Sequence, residues 1–183
     1  GFSTNLPRVD RAAFRPDPPA SPVEPWTIQV YADSLPENPP LGFSLGESEI
    51  ALSANIDPYF YGFMVAALDS SGEIGIEEAY IQTTSLPANL TLTAGRLFSG
   101  IGYFNETHAH NWAFSDAALP YRALLGSQLG DDGVQLVWLA PTDFYLLFGA
   151  EAFRGESYPA AGAANDGIGA YSAFVRTGGD IDV

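Results

Sequence analysis

The chain predicts an all-β fold, an antiparallel transmembrane β-barrel or part of one, preceded by a Pro-rich N-terminal arm. Three observations predict it. From residue 41 onward, short aromatic-rich segments are interleaved with polar residues and broken by Gly, Pro, Asn and Asp. Ile50-Ala51-Leu52-Ser53-Ala54-Asn55-Ile56 and Leu90-Thr91-Leu92-Thr93-Ala94 alternate with a period of two, so each would offer one face to hydrocarbon and one to water or small side chains. Lysine is absent, and the polar positions hold Gly, Ser, Thr and Ala where a soluble surface would carry Lys and Glu.

Taken in order, residues 1–40 carry Pro16-Asp17-Pro18-Pro19 and Pro36-Glu37-Asn38-Pro39-Pro40, which lack the N–H groups a strand ladder needs. This region reads as an irregular arm with one plausible strand, Thr27 to Ala32. Residues 41–183 read as barrel strands at about 44–56, 59–69, 73–84, 88–99, 133–140, 143–153 and 167–177. Turn chemistry separates them: Asp57-Pro58, Ser70-Ser71-Gly72, Pro87-Ala88-Asn89, Asp131-Asp132-Gly133, Pro141-Thr142-Asp143 and Asn165-Asp166-Gly167. Long loops are expected at about 100–130 and 154–166, alternating with short turns as outer-membrane barrels do. Helical periodicity is approached only in Ala117 to Leu129. A soluble β-sandwich competes, since it also needs seven or eight short strands. Aromatics gathered at strand ends (Tyr59, Phe60, Tyr61; Tyr103, Phe104; Phe144, Tyr145; Tyr158) favour the barrel, where they would form interfacial girdles.

Charge and composition remove several function classes. Twenty-two acidic residues face seven basic ones, for a net charge of −15. Without a basic stretch to neutralise phosphates, nucleic acid is not an expected partner. Absence of cysteine removes disulfides, thiol catalysis and Cys-ligated zinc. No run of about 18 apolar residues is present, so a spanning helix is not expected and only a barrel of strands could cross a bilayer.

Three stretches then carry a family resemblance: Gly42-Phe43-Ser44-Leu45-Gly46-Glu47-Ser48-Glu49-Ile50, Glu77-Glu78-Ala79-Tyr80-Ile81-Gln82, and Ala94-Gly95-Arg96-Leu97-Phe98-Ser99-Gly100-Ile101-Gly102-Tyr103-Phe104-Asn105. With His108-Ala109-His110-Asn111-Trp112, Tyr121-Arg122-Ala123-Leu124-Leu125-Gly126 and Leu129 to Leu136, they resemble a proteobacterial outer-membrane porin-like family. That family is related in pattern to phosphate-selective porins and is sometimes labelled TonB-dependent receptor. The resemblance implies a diffusion pore, with the segment after Ala94-Gly95-Arg96 as an external or inward-folded loop. Family members are longer and usually end on an aromatic residue, whereas this chain stops at Asp180-Ile181-Asp182-Val183, so a fragment of a larger barrel is also expected.

Candidate chemistry centres on Glu106-Thr107-His108-Ala109-His110, which holds both histidines. Alternate residues of an extended segment share a side, so His108 and His110 could hold Zn²⁺ with Glu106 or Asp116 as an oxygen ligand. Against this stands the reading that both imidazoles simply bond loop backbone and are dispensable for folding. Arg96 and Arg122 are candidate pore or ligand contacts, as are Glu47, Glu49 and Glu78. Arg96 is expected to face the lumen or an interface and to pair with Glu47, Glu49 or Glu78, because buried charges need partners. Asp131-Asp132-Gly133 could offer carboxylates to Ca²⁺ but is first a turn. Nucleophile elbows and phosphate loops are missing, and Glu47/Glu49 and Glu77/Glu78 read better as hydrated faces than as glycosidase pairs.

The expected function is a passive or weakly selective pore in the bacterial outer membrane, not an enzyme. No cofactor is expected unless Zn²⁺ binds. Outer-membrane lipid and small solutes are the expected partners, with a homo-oligomer or larger envelope complex open. The acidic surplus predicts weak cation preference rather than phosphate selectivity. The alternative is a soluble β-sandwich binding carbohydrate or metal through its loops.

Overall fold

The computed structural model describes residues 27–32, 48–68, 72–114, 116–160 and 169–179, with the backbone alone described for 27–32. Eight strands form one antiparallel sheet in chain order. They are β1 (Thr27–Ala32), β2 (Ser48–Asn55), β3 (Phe60–Leu68), β4 (Ile74–Thr83), β5 (Leu90–Phe98), β6 (Gly130–Leu139), β7 (Tyr145–Phe153) and β8 (Ala170–Gly178). The all-β reading is thus correct, and each expected strand has its counterpart. The strand inside the Pro-rich arm pairs with β2, Thr27 opposite Ser53 and Ala32 opposite Ser48, so the sheet reaches into the arm. The arm's proline clusters lie outside the described residues. Among the described residues β1 and β8 pair on one side only, so the sheet is not closed.

Local chemistry explains the connections. In the β2–β3 turn the Asp57 carboxylate accepts the N–H groups of Tyr59 (2.7 Å) and Phe60 (2.8 Å), replacing the ladder where the chain reverses. Ala88 and Asn89 take positive φ (61° and 57°) in the β4–β5 turn. The long β5–β6 connection contains a 3₁₀ turn, Ala109–Asn111, and one short helix, α1 (Leu119–Leu125), ended by Gly126 at φ 63°. One expectation fails here. Asp131-Asp132-Gly133 is not a turn but extended backbone of β6, opposite Leu97, Arg96 and Gly95 of β5. The preceding loop turns earlier than its Asp-Gly signal, because the β5 partners are long enough to pair these residues.

Both faces of the sheet carry large apolar side chains. Buried on the inner face are Glu49, Ala51, Phe63, Val65, Thr93, Leu97, Gln135, Val137, Glu151 and Phe153. Exposed on the outer face are Ile50, Leu92, Val134, Leu136, Trp138, Phe148, Tyr171 and Val175. The inner face therefore mixes buried carboxylate and amide side chains with apolar ones, and the outer face exposes large apolar side chains together with the Arg96–Asp132 pair.

The sheet curls around its inner face. Six strand spacings of about 4.8 Å would put β8 roughly 29 Å from β2 if the sheet were flat. Yet Arg176 of β8 bonds Glu106 at 2.6 Å, and His108, two residues on, contacts Glu49 of β2. Side chains stand nearly perpendicular to a sheet, so these strands meet loop residues only two apart in the chain because the sheet bends. Glycine makes room for Phe174: a Cβ on Gly149 would come within 2.1 Å of its ring, and one on Gly100 within 2.3 Å.

Candidate functional site

The β5–β6 connection folds across the inner face and is held at three places. Its stem is closed by Asn105, whose amide donates to the carbonyls of Ser99 and Leu129 (both 2.8 Å) and accepts the Leu129 N–H (2.7 Å). At the β7–β8 side, Glu151 is a buried acceptor hub. It takes the Gly100 N–H and the Gln135 amide, both at 2.7 Å, together with the hydroxyls of Ser99 and Ser172. Four donors explain how a carboxylate only 4% exposed is tolerated in the interior. Beside it, Arg176 donates to the Gly100 carbonyl (2.8 Å) and to Glu106 (2.6 Å), with its guanidinium over the Phe174 ring.

The third anchor is His108, 1% exposed. Its Nδ1 lies 2.9 Å from Glu77 Oε2 and 3.5 Å from Glu49 Oε2, and its Nε2 lies 2.9 Å from Glu78 Oε2. Glu49 is an inward residue of β2, as the strand period requires. Glu77 and Glu78 are consecutive and in a regular strand would point to opposite faces. A β-bulge removes the conflict: Val65 pairs with Glu78 and Ala66 with Ile76, leaving Glu77 as the extra residue. Both carboxylates therefore reach the same imidazole, one at each ring nitrogen. Phe98 packs edge-on against the ring, with centroids 5.4 Å apart. Burial alone would depress the imidazole's pKa, but bonding to Glu49, Glu77 and Glu78 outweighs it and pushes the value up to about 11. Without a metal the ring is an imidazolium caged by three carboxylates.

Several sequence expectations are redistributed. Among the described residues, Asp116 does not come together with His108 as a zinc set. Asp116 is exposed and bonds Arg122 at 2.8 Å, and the side chain of His110 lies outside the described residues. Nor is His108 an exposed loop residue, since it is among the most buried side chains described. Arg96 pairs with Asp132, its β5–β6 cross-strand partner, at 2.8 Å on the outer side rather than with Glu49 or Glu78. Glu47 lies outside the described residues. Arg122 sits on α1 and touches none of the inner-face carboxylates named above. Sequence reasoning missed Glu77, Glu151 and Asp131 as structural acceptors. Asp131 accepts the N–H groups of Gly155, Glu156 and Ser157 at 2.8–3.2 Å and so ties down the start of the β7–β8 connection. The signal for Glu77 was its adjacency to Glu78, but a bulge had to be assumed before the pair could be read as converging.

Among known proteins, this chain is similar to an uncharacterized protein of Aquifex aeolicus (strain VF5), 40% identical over 116 residues. The aligned part is 63% of this chain and 24% of that relative, so the match spans about a quarter of the relative's length. No family model and no solved structure matches.

Proposed function

We propose that the chain is an eight-stranded wall of an outer-membrane β-barrel, with residues 99–129 folded inward as a constriction of a pore for small solutes. The observation that carries this reading is the polarity of the two faces: Leu92, Val134, Leu136, Trp138, Phe148 and Val175 exposed outside, Glu49, Gln135, Glu151 and His108 buried inside. Exposing so much apolar surface to water would make a soluble sheet aggregate, whereas lipid accepts it. The aromatics fit the same geometry. Tyr59, Phe60, Trp138, Phe144 and Tyr145 gather at the short-turn end of the sheet, and Tyr103, Phe104, Tyr121 and Tyr158 at the long-loop end, as two interfacial girdles would.

Strand number sets the form of the pore. Eight strands enclose a space that side chains fill, so an open channel needs a wider wall. Two observations favour a larger barrel: β1 and β8 each pair on one side only among the described residues, and the similar Aquifex protein extends well beyond the aligned part. On the inner side Glu49, Glu77, Glu78, Glu106 and Glu151 outnumber His108 and Arg176, which favours cations over anions.

Planar-bilayer recording from the detergent-folded chain tests this. Discrete conductance steps with a cation-side reversal potential in a salt gradient are expected from copies of the chain assembled into a wider wall. A chain that stays soluble and monomeric without detergent would overturn the membrane reading. A chain that inserts into the bilayer yet stays silent would overturn the pore and leave a side-chain-filled barrel.

A further inference from the structure

We propose that Glu49, Glu77 and His108 bind one divalent first-row transition cation on the inner face of the sheet, with Glu78 holding the imidazole from its other nitrogen. A ligand atom from each of the three lies within 4.8 Å of the others, one from β2, one from the β4 bulge and one from the β5–β6 loop. Spacing supports the assignment. Nitrogen and oxygen ligands about 2.0–2.2 Å from a tetrahedral cation stand roughly 3.3–3.5 Å from each other. Here the Nδ1 to Glu49 distance is 3.5 Å, and the Nδ1 to Glu77 distance, 2.9 Å, is hydrogen-bond spacing that opens by about half an ångström when a cation enters.

A second feature points the same way. Both Glu49 and Glu77 converge on the one Nδ1, while Glu78 takes the opposite nitrogen at 2.9 Å. A metal-binding histidine almost always gives its other N–H to a carboxylate, which fixes the tautomer and raises the basicity of the ligating nitrogen. The bulge at Glu77 delivers this arrangement from two adjacent residues. Of the three ligands, Glu77 lines an open groove of about 390 Å³ with Ile76, Arg96, Gln128 and Asp131, while Glu49 and His108 lie buried behind it. An imidazole with two carboxylates suits Zn²⁺, Co²⁺ or Fe²⁺ rather than Ca²⁺, which takes six to eight oxygens. Three protein ligands leave a further position for water. The site does not depend on the pore reading, because its ligands are held by the sheet and loop whatever surrounds them.

The test is titration of the folded chain, stripped with chelator, with Zn²⁺ against a chromophoric competitor, and with Co²⁺ read by its visible absorption. One equivalent of Zn²⁺ should bind, and bound Co²⁺ should show ligand-field bands of a site with nitrogen coordination. His108→Gln and Glu77→Gln should abolish the site. Glu78→Gln should keep the stoichiometry while weakening affinity about 10–100-fold. Asp116→Asn should change nothing. Absence of saturable Zn²⁺ binding, or binding that survives Glu77→Gln, would overturn the proposal in favour of an imidazolium caged by carboxylates. Glu77 is partly exposed, so its variant remains informative even if His108→Gln fails to fold.

Discussion

At the scale of single residues, His108 concentrates most of the interior electrostatics in one side chain. Two consequences can be measured on metal-free protein. Replacing it with Ala leaves Glu49, Glu77 and Glu78 facing one another without a cation, and breaking a buried pair in this way costs about 3–5 kcal/mol. The loss should appear as a lower denaturant midpoint, and a midpoint unchanged from the parent would show that the carboxylates do not need the ring. The second consequence is in pH. The imidazole's folded pKa is raised to about 11, above its ordinary 6.5, so its contribution is fully present below pH 6.5 and fades as the pH climbs toward 11. Chelator-treated protein should therefore lose stability across that alkaline range, whereas His108→Ala should show a flatter profile there. At the same scale, Glu77 and Glu78 were visible in the sequence as adjacent acids. Their convergence was not, because a bulge is a property of the β3–β4 register and not of the pair itself.

At the scale of elements, strand existence was legible because alternation and turn residues are local signals. Leu90 to Ala94 alternates in sequence, and the structure accordingly exposes Leu92 and buries Thr93 at 3%. Leu92→Arg places a charge on the outer face. In a membrane this costs about 2–4 kcal/mol near mid-depth. On a water-facing strand the same change falls within about 0.5 kcal/mol. Leu119→Arg, on the exposed helix α1, is the control and should be neutral in either setting. Refolding yield into lipid vesicles measures the contrast, and equal tolerance at both positions would speak against a lipid-facing β5. A separate prediction concerns the β7–β8 connection. Asp131→Ala removes the acceptor of three N–H groups and should make residues around Gly155 more sensitive to limited proteolysis, with β6 and β7 themselves unaffected. Strand ends were less legible than strand centres: Asp131-Asp132-Gly133 has the composition of a turn, and only its partners on β5 decide that it is extended.

At the scale of the whole molecule, the sheet and its inward loop form one object tied by His108 on one side and by Arg176 and Glu151 on the other. If the inner space is a pore, releasing the loop should widen it. Arg176→Gln combined with Glu106→Gln removes the β8 tie without leaving an unpaired charge, so a larger single-channel conductance with unchanged cation preference is expected. Conductance equal to the parent would mean that the loop does not set the constriction.

From its sequence alone this protein is determined to be an antiparallel β protein with a strongly acidic composition and a long connection after β5, since periodicity, turn residues and charge are written locally. Which acids meet which cation was decided only by the tertiary structure. His108 lies about thirty residues from Glu77 and Glu78 and nearly sixty from Glu49, and only the curl of the sheet, the bulge in β4 and the inward fold of the loop bring them within bonding distance. Such contacts depend on long-range register, and no short window of residues encodes it.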